Sequence, residues 1–228
     1  DEKEKYVWQN TWAISTRMLG VMFAIHSDEK GLILPPKIAS NSIVIIPIFN
    51  EKTKKQVIEE AKKIQEELNE FNPILDKREY QRPGFKFNEY ELKGVHIRIE
   101  IGPRDLEKKQ IILVRRDNLK KQQIKISELK KQIPKILEEI QKNLFDKSKK
   151  LFESKIQLSN NLGDLKKIIE NKKVGIVPLC KNEKCEDMMK FETKGAKALF
   201  IDEKKIKNEK CIICNKPADY FVYAGKSY

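Results

Sequence analysis

Apolar positions along this chain switch between a spacing of two and a helical spacing, and the switches divide it into elements. From Tyr6 to Ile14, the positions Val7, Gln9, Thr11 and Ala13 alternate with Trp8, Asn10, Trp12 and Ile14, which predicts a strand. Ser15 and Thr16 offer N-cap hydroxyls, and Met18, Leu19, Met22, Phe23 and Ile25 then follow at helical spacing. The rigid pair Pro35-Pro36 closes this first unit, 1–41. A second unit, 42–146, alternates. It predicts a strand at IVIIPIF, a helix from Lys54 to Leu68, a short strand around Pro73 to Leu75 and a helix after Pro83-Gly84. Strands VHIRIEI and IILVRR follow, then a helix from Ser127 to Phe145. Val57, Ile58, Ala61, Ile64 and Leu68 form one core-facing stripe, and Leu129, Ile133, Ile136, Leu137, Ile140 and Leu144 another. Strands alternating with helices imply an α/β sheet with mixed pairing. The third unit, 147–228, carries all four cysteines and reads as small and α+β.

Composition narrows the class. The chain has 228 residues, 39% hydrophobic and 36% charged, enough for one large or two small cores. No apolar run approaches the roughly 20 residues that a membrane span needs. The chain opens on DEKEKY with no initiator methionine or signal peptide, and reads as an excised piece. A formal charge of +13 points to a polyanionic partner, or to lysine enrichment from the base composition of a genome.

Candidate chemistry lies in three places. Arg17 opens a predicted helix just past a strand, where a guanidinium beside free N–H groups suits a phosphate; the alternative is an exposed first-turn arginine. Cys180 and Cys185 (C-x4-C) and Cys211 and Cys214 (C-x2-C) have the spacing of a four-thiolate zinc site. Unmetallated thiols or a redox pair are the other readings. Between these, the stretch Arg82–Asp117 sets Lys86, Tyr90 and Lys93 on one side of a short helix, with Phe87 and Glu91 near it. Gly94 fits a left-handed C-cap. His96, Arg98 and Glu100 share one face of the next strand. Aromatics, carboxylates and cations together suit splayed single-stranded bases. With only His26 and His96 available, a histidine-based catalytic pair has little support.

TWAISTRMLG and HSDEKGLILPPKIA resemble motif 3 of the class II prolyl-tRNA synthetases found in archaea, eukaryotic cytoplasm and some bacteria. RPGFKFNEYELKGVHIRIEIGPRD is similar to the class IIa anticodon-binding domain in its prolyl form, and CKNEKCED with EKCIICNKPA to that family's C-terminal zinc domain. The resemblance implies the end of a class II catalytic domain (an antiparallel strand plus the motif 3 helix), then the anticodon-binding domain, then a zinc-binding domain. It implies that Arg17 binds ATP, that Trp12 with Thr11 lines the prolyl-adenylate pocket, and that the cysteines hold a structural Zn2+. It assigns the anticodon to Lys86, Phe87, Tyr90, Glu91, Lys93 and Arg98, and turns the carboxylate of Tyr228 toward the active site. The chain departs from the family at Ala13 (usually glycine), Tyr90 (usually tryptophan) and His96 (usually proline); the last is expected to loosen the strand entry.

The implied parent is a cytoplasmic, homodimeric proline–tRNA ligase that uses ATP and Mg2+ to join proline to tRNA(Pro). Motifs 1 and 2 are missing from this chain, so it is expected to form no prolyl-adenylate alone. A stand-alone tRNA-binding module acting in trans, and a lysine-rich zinc ribbon for generic nucleic acid, are the competing readings.

Overall fold

A computed structural model describes residues 7–202, 206 and 208–226. The chain divides into two compact units, one ending at Ser148 and one beginning at Lys149. Three units with a break at 146/147 were expected; the observed division falls inside a helix that runs on to Ser154, past the predicted end at Phe145.

The first unit holds α1 (Arg17–His26), β1 (Ile43–Pro47), α2 (Lys54–Glu67), β2 (Ile74–Leu75), α3 (Pro83–Leu92) and β3 (Ile97–Ile101). It continues with α4 (Pro103–Glu107), β4 (Gln110–Arg115), β5 (Lys121–Lys125) and the start of α5 (Leu129–Ser154). The sheet runs β2-β1-β3-β4-β5. β1 is parallel to β2 and β3, while β4 is antiparallel to both neighbours, so the sheet is mixed, as the alternation implied.

Pleating decides which side chains go where. Ile43, Ile45, Ile97, Ile99 and Ile101 point to one face and pack with Val57, Ala61 and Ile64 of α2 and Leu129, Ile133 and Ile140 of α5. Each such side chain contributes about 1.5–3 kcal/mol of burial. On the other face Val44 and Ile46 meet Tyr90 of α3. That face also carries Arg98 and Glu100, both buried. α3 ends as its sequence indicated: Gly94 sits at φ +76°, its N–H donates to Glu91 O, and the Val95 N–H donates back to Tyr90 O.

The predicted first strand does not form. Residues 7–14 are exposed and pair with no described strand, because alternation alone supplies no ladder partner for their N–H and C=O groups. The helix after it does form, but Thr16 is its N-cap without a side-chain hydrogen bond.

The second unit contains β6 (Ile156–Leu158), α6 (Leu162–Glu170), β7 (Val174–Leu179), α7 (Glu183–Glu192), β8 (Ala196–Asp202) and β9 (Tyr220–Lys226). Its sheet order is β6-β7-β9-β8. Leu165 and Ile169 of α6 and Met189 of α7 pack on Val177, Leu179, Val222 and Ala224, with Cys185 and Cys211 in the same core. Among the described residues no helix is long and apolar enough to cross a membrane.

Candidate functional site

α3 begins where Arg82 is extended before Pro83, whose missing N–H costs nothing in a first turn. The helix then lies across β1 and β3. This arrangement divides the expected RNA-contact residues into two layers.

Lys86 and Tyr90, both expected to contact the anticodon, form the lower layer and are buried. Lys86 is 3% exposed; its Nζ donates to Asp76 O at 3.2 Å and lies 3.4 Å from Asp76 Oδ1. Tyr90 is 7% exposed and packs on Val44 and Ile46, so its ring offers no stacking face. Burial by itself would raise the Asp76 carboxyl, but hydrogen bonds from Arg78 and the charges of Lys86 and Arg78 hold it at about 2.

Phe87 and Glu91, both half-buried, form the upper layer, and Arg98, itself only 7% exposed, reaches them from β3. The Arg98 guanidinium carbon lies 4.1 Å from the Phe87 ring centroid. Its Nη1 donates to Glu91 Oε1 at 2.6 Å and its Nε to Glu100 Oε1 at 2.9 Å. Glu91 Oε2 is 3.4 Å from Lys30 Nζ. Burial would raise the Glu91 carboxyl, but the Arg98 hydrogen bond and the nearby charges lower it, so it is an ionised acceptor with lone pairs to spare. Lys93 is exposed, 2.6 Å from Glu89 Oε1 and 5.4 Å from the Tyr90 ring centroid.

A strap formed by residues 28–34 fastens onto this helix. Leu32 N–H donates to Leu92 O at 3.0 Å. Gly31 has φ +128°, and a Cβ there would come within 2.6 Å of Leu92 Cα, so only glycine fits. His96 Nε2 lies 2.5 Å from Leu34 O, which accepts, so Nε2 carries the proton. The histidine therefore ties the strand entry to the strap, where a loosened entry was expected. Its buried Nδ1 has no hydrogen-bond partner among the described residues, and burial lowers its pKa.

Thr11, Trp12 and Arg17 are exposed, Trp12 at 94%, and α1 buries no residue. Their side chains make no hydrogen bond or ion pair among the described residues, so the expected adenylate pocket is not assembled by these residues alone. Tyr228 lies outside the described residues.

The four cysteines do converge. Cys180 follows β7, Cys185 sits in the first turn of α7 behind the Asn182 N-cap, and Cys211 and Cys214 flank a tight turn closed by Cys211 N–H to Lys216 O at 2.8 Å. Their sulfurs all lie within 4.8 Å of one another, and Cys180 Sγ and Cys214 Sγ are 3.7 Å apart. A zinc–sulfur bond of about 2.3 Å places tetrahedral sulfurs about 3.8 Å apart, so the set fits zinc. Burial pushes the Cys185 thiol up. Burial acts on Cys211 in the same sense, but backbone N–H groups of Cys214, Ile213 and Cys180 outweigh it and bring that thiol to about 7.

Sequence reasoning missed Asp76, Arg78 and Arg116, whose partners are distant or buried. Arg78 Nη2 bridges Asp76 Oδ2 at 2.7 Å and Glu89 Oε2 at 2.6 Å. The spacing Asp-x-Arg was a local signal for that pair; nothing local marks Arg116.

A family profile described as anticodon binding domain matches residues 42–136, and one described as prolyl-tRNA synthetase, C-terminal matches residues 162–228. A proline–tRNA ligase of Natranaerobius thermophilus is 40% identical over 217 residues, covering 94% of this chain and 44% of the relative. Proline–tRNA ligase 2 of Bacillus cereus is 38% identical over 227 residues, covering 99% and 47%. A putative proline–tRNA ligase of Saccharomyces cerevisiae is 36% identical over 255 residues, covering 100% and 37%. The chain thus spans less than half the length of these relatives. By these matches it belongs to the prolyl-tRNA synthetase family and corresponds to its C-terminal portion.

Proposed function

We propose, with that family as the premise, that this chain supplies anticodon recognition and a zinc-bearing domain to a proline–tRNA ligase. The observation that carries the reading is the Phe87–Glu91–Arg98 cluster inside the stretch that matches the anticodon binding domain. Proline codons begin CC, so the cognate anticodon presents two guanines. The ionised Glu91 accepts from a guanine Watson–Crick edge, while Arg98, only 7% exposed, holds that carboxylate in place. Phe87 backs the guanidinium, and exposed Lys93 reaches phosphate. Lys86 and Tyr90 serve beneath as the frame.

Residues 1–41 contribute motif 3 in this reading: Arg17 stabilises the phosphates of ATP, and Trp12 with Thr11 lines the prolyl-adenylate pocket. The whole enzyme is a cytoplasmic homodimer that activates proline with ATP and Mg2+ and esterifies tRNA(Pro). Attack of the prolyl carboxylate on the α-phosphate needs charge stabilisation and positioning, not a titrating base. Zn2+ on Cys180, Cys185, Cys211 and Cys214 is structural, since four thiolates leave no open position.

The test is binding of this chain to tRNA(Pro), and to the same tRNA with both anticodon guanines replaced, at matched salt. A loss of about 1–3 kcal/mol per replaced base is expected. Equal, steeply salt-dependent binding to both RNAs would remove the basis for guanine reading.

A further inference from the structure

The loop from Asp76 to Arg82 joins β2 to α3 and is fastened from below. Asp76 N–H donates to Ile45 O at 3.0 Å. Arg78 donates to Asp76 Oδ1 through both its backbone N–H and its Nε, each at 3.0 Å. Lys54 Nζ lies 2.7 Å from Glu79 Oε2 and so ties the loop to α2. Every acid here has an internal cation: Asp76 takes Arg78 and Lys86, Glu79 takes Lys54, and Glu89 takes Arg78 and Lys93. Lys77 and Arg82 are exposed and have no ion pair among the described residues. The segment therefore presents unbalanced positive charge.

Two aromatic rings stand on this frame. Tyr80 is 78% exposed, and Phe85, in the first turn of α3, is 54% exposed. Neither makes a side-chain hydrogen bond, ring contact or cation contact among the described residues. Tyr90, the aromatic that the sequence nominated for stacking, is in the core instead.

We propose that Tyr80 and Phe85 are stacking platforms for unpaired RNA bases, with Lys77 and Arg82 meeting the adjoining phosphates. The proposal rests on the anticodon reading given above and extends that site from Phe87 back to the first turn of α3. RNA is the occupant because it supplies both π faces and phosphate anions, which match the exposed rings and the unpaired cations. The surface also lies within the stretch matched to the anticodon binding domain. A stacked ring is indifferent to base identity, since every base has a π face. Glu91 is not indifferent, since its acceptors require donors on the base edge. Tyr80 and Phe85 therefore contribute affinity, and Glu91 contributes discrimination.

The experiment uses this chain and two synthetic anticodon stem-loops, one with two guanines and one with both replaced by adenine. Y80A and F85A should each weaken binding to both RNAs by roughly the same factor, about tenfold, and keep the preference for guanine. F85W should bind as wild type, and all three variants should melt as wild type because the rings are exposed. E91Q should instead lower the preference for guanine. If the wild-type chain prefers guanine but Y80A and F85A bind as tightly as it does, the stacking assignment is overturned. If the wild-type chain shows no preference, the anticodon reading fails, and the loss in Y80A and F85A still decides whether the rings touch RNA.

Discussion

Arg116 and Asp28, 88 residues apart, form a two-pronged ion pair: Nη1 is 2.8 Å from Asp28 Oδ2 and Nη2 is 2.6 Å from Oδ1. Arg116 Nε also donates to Glu91 O at 2.8 Å. One buried guanidinium therefore joins the strap after α1 to the last turn of α3. The hydrogen bond from Arg116 outweighs burial and holds the Asp28 carboxyl at about 2.

Arg116→Ala should destabilise the first unit by about 2–4 kcal/mol. Removing a buried charge partner costs about 3–5 kcal/mol, and water reaches part of Asp28, which lowers the figure. Urea unfolding measures it. A change below about 0.5 kcal/mol, the range of an ordinary surface substitution, would show that the pair holds nothing in place.

The Asp76 network predicts acid sensitivity with a defined sign. An unperturbed aspartate titrates near 3.9. In the fold Asp76 titrates at about 2, so the unfolded chain binds the proton more readily. The stabilisation from Asp76 is complete above about pH 4 and disappears as the pH falls through about 2. Asp76→Asn should be less stable than wild type at pH 7, with the gap closing between about pH 4 and 2. A gap that stays constant over that window would contradict the assignment.

Tyr90 and Tyr80 should behave oppositely in stability measurements. Tyr90→Ala opens a cavity against Val44 and Ile46 and should cost about 3–4 kcal/mol. Tyr80→Ala, on an exposed ring, should stay within about 0.5 kcal/mol of wild type. Equal effects in thermal melts would contradict the packing of Tyr90 on Val44 and Ile46.

Metal removal should act on the second unit. Its core contains Cys185 and Cys211, so loss of the proposed ion would leave crowded thiols where packing is tight. Chelation, or Cys211→Ser, should expose amides of β7 and β9 to hydrogen exchange and leave β1 and β3 protected. Unchanged exchange in β7 after verified metal removal would argue against a structural ion.

Much of this fold was legible because local rules determine it. The isoleucine alternation in β3 selects its core face, Gly94 terminates α3 by a backbone conformation other residues avoid, and two cysteine pairs close in sequence need only meet to form a site. What stayed hidden depends on neighbours far along the chain. Lys86 reads as a surface lysine until β2 places Asp76 beneath it, and Tyr90 reads as a stacking ring until β1 covers it. Residues 7–14 have the pattern of a strand, yet hydrogen-bond pairing requires a second strand that no local pattern provides. Residue type and spacing thus determined the elements and the candidate chemistry. Burial and ion pairing across tens of residues were decided by the tertiary structure, because desolvation and charge pairing depend on what lies nearby in space.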